Sequence, residues 1–420
     1  MSVDPSTVPA IQARTLRTLM GSQVLGGVGV ASGIAVGALL AVEVSGDESL
    51  SGLANTTQVL GAALFTAPVA AIMAVRGRRA GLVAAYVVGI VGAVVAVTAT
   101  VVGSFALLLA GTALFGAATT ANAQARYAAA DLAEPAHRGR QLSMVLWATT
   151  IGSVLGPNLI GPGKWVARLL GLPELSGALV FSALGFAVAG VLLTTWLRPD
   201  PLLTARALVD QPLPGPGLRP ARRSVIAGAR IILATPAALL GAAAITGGHV
   251  VMVAVMVMTP VHMQHGHAEV EVIGLVISIH ILGMYGFSPV VGTLTDRWGA
   301  PAVVLCGVGI LLLACLLAGL TEAGWSPLLM AGLFLLGVGW SCTMVAGSGL
   351  LAGAVPPDDR SAVQGAADIV MGLSAAAGGA LAGIVLGAYG YGWLCLLSAI
   401  VALALGVGTI SARRMVSLTP

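Results

Sequence analysis

Long apolar runs separated by short charged stretches dominate the pattern of this sequence. Ten runs contain no Asp, Glu, Lys or Arg: 18–42, 49–75, 80–125, 141–163, 175–197, 231–268, 272–295, 298–321, 323–357 and 369–412. A helix needs about 20 apolar residues to cross the hydrocarbon core of a bilayer. The runs of 46 and 44 residues, 80–125 and 369–412, must therefore each fold back once. The pattern predicts an all-α protein with twelve transmembrane helices.

Composition places the chain in the same class. Hydrophobic residues make up 57% of the sequence, charged residues only 9%, and the mean hydropathy is +0.98. These values lie far outside the range of soluble domains. We therefore expect a polytopic membrane protein whose main partner is the lipid bilayer.

The basic residues predict the orientation of the chain in its membrane. Lys and Arg collect on the cytoplasmic side of bacterial membranes. With the N-terminus inside, eighteen of the twenty basic residues face the cytoplasm, and only Lys164 and Arg168 lie outside. Residues 1–12 lack the pattern of a cleaved signal. We expect a prokaryotic plasma or inner membrane protein with both termini cytoplasmic. Because the positive charge is spread over short loops, it does not indicate nucleic-acid binding.

A polar segment divides the chain into two parts. Residues 198–230 contain six prolines and six arginines, which is too polar and too proline-rich for a membrane span. Six predicted spans lie on each side of it. We therefore predict an N-terminal half at 1–197, a cytoplasmic linker at 198–230 and a C-terminal half at 231–420.

Two landmarks recur at one offset and indicate that the halves are duplicated. Gly77 in IMAVRGRRAGL corresponds to Gly299 in LTDRWGAPAVV, 222 residues further on. Arg138, which ends PAHR, corresponds to Arg360, which ends PDDR, at the same offset. Two coincident offsets predict two pseudo-symmetric six-helix halves related by an axis along the membrane normal.

The segment between predicted helices 8 and 9 resembles the cytoplasmic signature of the major facilitator superfamily. The matching positions are Gly292, Leu294, Asp296, Arg297 and Gly299. The resemblance covers the whole chain and implies a secondary transporter that works by alternating access. Glycine allows a sharp turn and close helix approach, and Asp296 can accept hydrogen bonds at a neighbouring helix N-terminus. We expect these residues to form a conformational latch.

The first-half copy of this segment departs from the pattern. Ala70 replaces the first glycine and Ala74 replaces the acidic residue, while Gly77 is retained. We expect the first-half latch to be weaker or differently built.

Soft metal-binding side chains concentrate in the second half. Residues 249–267 hold four of the six histidines and four of the thirteen methionines. We expect helix 7 to run outward from about Pro236 to Pro260, and helix 8 to run inward from about Val272 to Pro289. The end of this stretch then forms an external loop.

Two of these side-chain pairs have helical spacing. Met252 and Met256 on helix 7 are four residues apart, as are His280 and Met284 on helix 8. Residues four apart share a helix face, so each pair can present two ligands to one side. Thioether and neutral imidazole are soft or borderline donors, and soft sulfur ligands select Cu(I). The pattern predicts a copper path in which the external residues His262, Met263, His265 and His267 collect the metal.

The four residues Met252, Met256, His280 and Met284 also resemble the ligand pattern of the CcoA-like bacterial copper importers within the superfamily. That resemblance implies copper uptake into the cytoplasm, with copper as substrate and not as cofactor. The same branch includes riboflavin carriers, so a small organic solute or drug is the alternative substrate. Methionine is also a common filler of membrane cores, which is the structural alternative for the two pairs.

Two further ionisable residues interrupt apolar spans. Asp368 on helix 11 is either a proton-coupling group or the partner of a basic residue, for which Arg126 on helix 4 is the candidate. His249 either extends the metal path inward or hydrogen-bonds a neighbouring helix.

No nucleophile, base and carboxylate set can be placed in one site. We therefore expect a monomeric carrier with no catalytic residues and no cofactor.

Overall fold

The computed structural model describes residues 5–47, 50, 52–208 and 224–417. The middle of the predicted linker, 209–223, and both chain ends lie outside the described residues. Regular structure in the described part of the chain is helical. Its α-helices are α1 (Val8–Ser45), α2 (Leu53–Val102), α3 (Phe105–Ala128), α4 (Arg138–Asn158), α5 (Ile160–Leu169), α6 (Gly177–Trp196), α7 (Pro201–Leu208), α8 (Val225–Ala234), α9 (Pro236–His265), α10 (Val270–Ile281), α11 (Ser288–Trp298), α12 (Ala300–Gly319), α13 (Pro327–Gly353), α14 (Pro357–Tyr389) and α15 (Tyr391–Ser417).

The helices group into two compact units. One unit comprises residues 1–133, 148–228 and 357–366, and the other comprises 134–147, 229–356 and 367–420. The start of α14 therefore belongs to the first unit and its remainder to the second. The start of α4 belongs to the second unit and its remainder to the first. Two helices thus each contribute residues to both units.

Ten helices of the described residues are long and apolar enough to cross a membrane, and a bent pair formed by α4 and α5 adds an eleventh. The all-α membrane class predicted from the sequence is confirmed, whereas the count of twelve spans stays a prediction. Within α2, which has 50 residues, Gly77 has φ 85° and ψ 173°, outside the helical region. This kink divides α2 into two stretches, each of which exceeds the roughly 20 residues that a span requires.

Both of the longest apolar runs turn where glycine permits a positive φ. The first turns after α2, where Gly103 has φ 67° and the Ser104 hydroxyl accepts from the Leu107 N–H at 3.4 Å. The second is interrupted between α14 and α15 at Gly390, with φ 87°. Left-handed backbone at a helix C-terminus strongly favours glycine. The predicted division of each run is confirmed.

Small residues let the helices of the first unit pack closely. A Cβ placed on Gly92 of α2 would lie 2.7 Å from the Gly111 carbonyl of α3, and one on Gly29 of α1 would lie 2.9 Å from the Ser182 carbonyl of α6. Apolar side chains gain little from contacting each other in place of lipid, so close backbone approach supplies much of the packing energy between membrane helices. The glycine content therefore determines which helix faces meet.

Candidate functional site

His280 lies fully buried near the end of α10. Its Nδ1 is 2.8 Å from the carbonyl oxygen of Leu333 on α13. Because a carbonyl only accepts, Nδ1 carries the proton of the neutral ring and Nε2 keeps its lone pair. Nε2 is buried and has no hydrogen-bond partner among the residues that the structure describes. Metal-binding histidines characteristically donate their other ring N–H to a carbonyl or carboxylate, so Nε2 can ligate a metal or accept from a solute.

Met284 lies in a π-helical turn, Leu282–Gly286, between α10 and α11. The expected helix 8 is therefore not one regular α-helix, and it continues to Trp298 rather than ending near Pro289. Close packing against α13 accompanies the change, since a Cβ on Gly283 would collide with the Phe334 carbonyl. π-Turns occur frequently at functional sites. Met284 itself is 7% exposed.

The two predicted ligand pairs both lie beside α13. Met252 is buried and Met256 half-buried on α9, which packs chiefly against α13 and α15. The segment that carries His280 and Met284 packs chiefly against α13 and contacts α9 only slightly. No group of three or more His, Cys, Asp and Glu side chains that could hold a metal ion occurs in the described ranges. A shared four-ligand site therefore stays a prediction.

The predicted external loop begins later than expected, because α9 continues through Pro260 to His265. Proline is tolerated within transmembrane helices, since neighbouring groups can satisfy the carbonyl that it leaves unpaired. Met263 is fully buried. The His262 ring stacks on Tyr391 with centroids 4.1 Å apart. Of the four predicted collecting residues, only His265 and His267 are exposed.

An aromatic group lies on three helices of the second unit, and His249 is the member to which the sequence had already pointed. Trp340 of α13 donates its indole N–H to Nδ1 of His249 on α9 at 2.9 Å. Tyr285, in the π-helical turn, packs edge-on against Trp340 with centroids 5.4 Å apart. Trp340 is 4% exposed, whereas His249 and Tyr285 are half-buried. His249 thus hydrogen-bonds a neighbouring helix, one of the two roles expected for it.

Trp340 and Tyr285 have a weak sequence signal. Aromatic residues make up only 5% of the chain, so each Trp or Tyr within an apolar span is a candidate for a specific contact. The spacing within any one helix gives no indication that the three meet. We call His249, Tyr285 and Trp340 the aromatic trio.

The second-half signature segment makes the contact expected for its acidic residue. Asp296 accepts from the backbone N–H of Gly139 at 2.7 Å and of Arg140 at 2.8 Å, at the N-terminus of α4. Gly292 permits this approach, because a Cβ there would lie 2.6 Å from the Gly139 carbonyl. Arg297 is exposed. A role of these contacts as a conformational latch stays a prediction.

The remaining predicted pair lies in different units. Arg126 is 3% exposed and donates to the Ala123 carbonyl at 2.8 Å and to the Tyr127 hydroxyl at 2.9 Å. Asp368 is 8% exposed on α14. Pairing between Arg126 and Asp368 stays a prediction.

The architecture and composition define a polytopic, all-helical membrane protein, and the Asp296 contact matches a transporter signature. The model of the Major Facilitator Superfamily matches residues 18–268 and 250–417. The chain belongs to this superfamily of membrane transporters, which are not enzymes.

Relatives and solved structures agree with this assignment. The chain is 36% identical to the uncharacterized MFS-type transporter YddS of Bacillus subtilis over 96% of this chain and 91% of that protein. It is 27% identical to the riboflavin transporter RfnT of Brucella anthropi over 86% of this chain and 85% of that one. The human organic anion transporter MFSD10 has the same fold, with a TM-score of 0.76 at 17% identity, covering 95% of this chain and 99% of that one.

Proposed function

We propose that this chain is a secondary transporter of a small organic solute with a planar ring, moved by alternating access. The aromatic trio carries the proposal, because Trp and Tyr rings bind planar rings by offset stacking or edge-on contact. The similarity to RfnT, a riboflavin transporter, supports the same solute class. Trp340 would form the base of the binding surface, with His249 and Tyr285 beside it.

Transport of radiolabelled riboflavin tests this proposal. We expect cells expressing the chain to accumulate or extrude the label faster than empty cells. Trp340→Ala should reduce that rate at least tenfold, since aromatic contacts and buried area are lost together. Trp393→Ala is the matched control, because Trp393 on α15 is 57% exposed and lies outside the trio. Equal rates for Trp340→Ala and the unaltered chain would refute a role of the trio in riboflavin recognition.

Copper is the second candidate substrate, favoured by the unpartnered Nε2 of His280. In this proposal His280 and Met284 bind Cu(I) together with Met252 and Met256. Thioether and neutral imidazole are soft or borderline donors that need not lose a proton when they bind Cu(I). They are therefore compatible with weak binding and rapid exchange of the ion. The exposed His265 and His267 would collect the ion.

Uptake of radioactive copper distinguishes the two candidates. A Met252→Ala, His280→Ala double variant that reaches the membrane should lose uptake if copper is the substrate. His137→Ala provides a control, since His137 is exposed and pairs with the nearby Glu134 at 3.3 Å. No uptake above that of empty cells in any variant would exclude copper and leave the organic solute.

We further propose that Asp368 couples transport to protons. An acidic group within a span is costly unless it serves transport or is paired. Asp368→Asn should then abolish accumulation driven by a pH gradient while retaining exchange of labelled for unlabelled solute. If gradient-driven accumulation survives, Asp368 is a structural partner, for which Arg126 is the expected cation.

A further inference from the structure

The turn at Gly77 is the first-half turn of the predicted repeat. It has Ala74 where the signature has an acidic residue, yet a carboxylate from elsewhere in the chain contacts it. Asp200, which follows α6 in the chain and precedes α7, is 8% exposed. Its Oδ2 accepts from the backbone N–H of Arg79 at 2.7 Å. Its Oδ1 accepts from the N–H groups of Leu202 and Leu203 at 3.0 and 3.2 Å. One carboxylate thus caps α7 and joins it to the turn.

Gly77 makes room for this carboxylate. A Cβ on Gly77 would lie 2.5 Å from the carboxyl carbon of Asp200, which is closer than real side-chain contacts allow. Gly77 also has φ 85°, a conformation that favours glycine. The glycine therefore has two independent reasons to occur at this position.

The other end of α7 contacts the position where the signature acid is missing. Arg206 is 1% exposed and donates from Nη1 to the Ala74 carbonyl at 2.8 Å. The break of α2 at Gly77 places Ala74 in the last turn before the kink, where carbonyls lose their intrahelical partners. A cation is favoured at such a C-terminus. Arg206 Nε also pairs with Asp358 Oδ1, at the start of α14, at 2.8 Å.

A buried charge network holds the same segment of α14. Arg78 is fully buried and pairs through Nε with Asp131 Oδ2 at 2.7 Å. Its Nη2 donates to Gln364 Oε1 at 2.6 Å. Arg360 donates to the Asp131 carbonyl at 3.0 Å. The first residues of α14 are therefore held by the turn through Arg78 and by α7 through Arg206.

We infer that α7, with Asp200 and Arg206 at its two ends, is a clasp that replaces the missing first-half acid and controls release of the start of α14. The clasped residues 357–366 belong to the first unit, whereas the rest of α14 belongs to the second. Movement of residues 357–366 away from the turn would break the Arg206 contacts together with those of Arg78 and Arg360. The clasp would act whichever solute the protein transports, so the experiment that tests it needs no solute.

The test measures how fast a maleimide labels a cysteine placed at a buried position within residues 357–366 of α14. Ser361 is fully buried on α14, and Ser361→Cys changes its size little. In purified protein lacking the four native cysteines, a maleimide should label Cys at this position slowly while the clasp is intact. Arg206→Gln or Asp200→Ala should each raise the labelling rate about tenfold, since a buried hydrogen bond to a charged group is lost.

Two further variants make the outcome specific. Arg198→Gln alters an exposed arginine just before α7, whose Nε donates to the Thr194 carbonyl at 2.9 Å, and should leave labelling unchanged. The double variant Arg206→Asp, Asp358→Arg should label more slowly than Arg206→Asp alone or Asp358→Arg alone. In the double variant the two charges are exchanged, so an ion pair can form again.

Several results would overturn the inference. Unchanged labelling in both clasp variants shows that release does not depend on α7. An equal increase with Arg198→Gln shows a general loosening of the segment. If both Arg206→Gln and Asp358→Asn fail to give monodisperse protein in size-exclusion chromatography, α7 is a folding element and no clasp.

Discussion

The turns at Gly77 and Gly299, which the sequence predicts to be equivalent in a first and a second half, obtain their carboxylates from different parts of the chain. In the second-half turn, Asp296 lies three residues before Gly299 and caps α4. In the first-half turn, Ala74 takes the acidic position and Asp200, 121 residues beyond Arg79, supplies the carboxylate. Both turns therefore bond a carboxylate, although Asp296 extends from its own turn to a helix N-terminus and Asp200 reaches the other turn from a distant segment.

The surroundings of the two turns also differ. The first-half turn carries the fully buried Arg78, and its glycine touches Asp200. The second-half turn carries the exposed Arg297, and a Cβ on Gly299 would meet no atom within 4 Å. We expect the first-half turn to tolerate substitution less well.

The largest expected difference between the turns concerns their arginines. Arg78→Met should lower the free energy of unfolding by about 3 kcal/mol, because the buried Asp131 loses the cation that contacts it at 2.7 Å. Arg297→Met should change it by less than about 0.5 kcal/mol, as for most exposed positions. Unfolding in mixed detergent micelles measures both values. Equal losses would contradict the difference in burial between the two turns.

The glycines provide the next contrast. Gly299→Ala should cost about 2 kcal/mol, because φ 81° and ψ 146° form a conformation that residues with a side chain rarely adopt. Gly77→Ala should cost about 3 kcal/mol, because the added methyl also displaces the Asp200 carboxylate from its hydrogen bonds. Thermal unfolding of the two variants compares them directly. A Gly77→Ala variant no less stable than Gly299→Ala would show that the carboxylate moves aside without cost.

The carboxylate of the second-half turn should have an intermediate effect. Asp296→Ala should cost about 2 kcal/mol, because two N–H groups at the start of α4 lose a charged acceptor. Asp296→Asn should cost less, since its amide oxygen still accepts. Glu134→Ala, at an exposed position before α4, is the control and should cost less than about 0.5 kcal/mol. The same denaturation assay applies, and equal costs for Asp296→Ala and Glu134→Ala would remove Asp296 as a cap.

The smallest expected effect comes from restoring the first glycine of the signature. Ala70→Gly should destabilise the chain by about 0.5–1 kcal/mol, the cost of glycine within a helix. The Ala70 methyl also packs against Gly365 of α14. A stabilised variant, seen as a higher unfolding temperature, would show that the first-half turn still requires the missing glycine.

Several site features were predictable and others were not. The Asp296 contact follows from a short motif whose acid sits next to the turn, so local spacing was sufficient. The lone pair of His280 Nε2 is available because Nδ1 donates to the Leu333 carbonyl, 53 residues away. No sequence pattern specifies that hydrogen bond. The position of Met284 in a π-turn was also missed, because its residues fit an α-helical pattern equally well.

The sequence alone determined the helical membrane class and most of the segments that form its helices. In a bilayer, backbone groups without water must bond within their own segment, so apolar length is nearly sufficient to predict a helix. Only the tertiary structure decided how Asp200 and Arg206 reach the first-half turn and how the aromatic trio assembles. Those contacts join side chains of different helices, and their energy depends on distances and burial that emerge only when the helices pack.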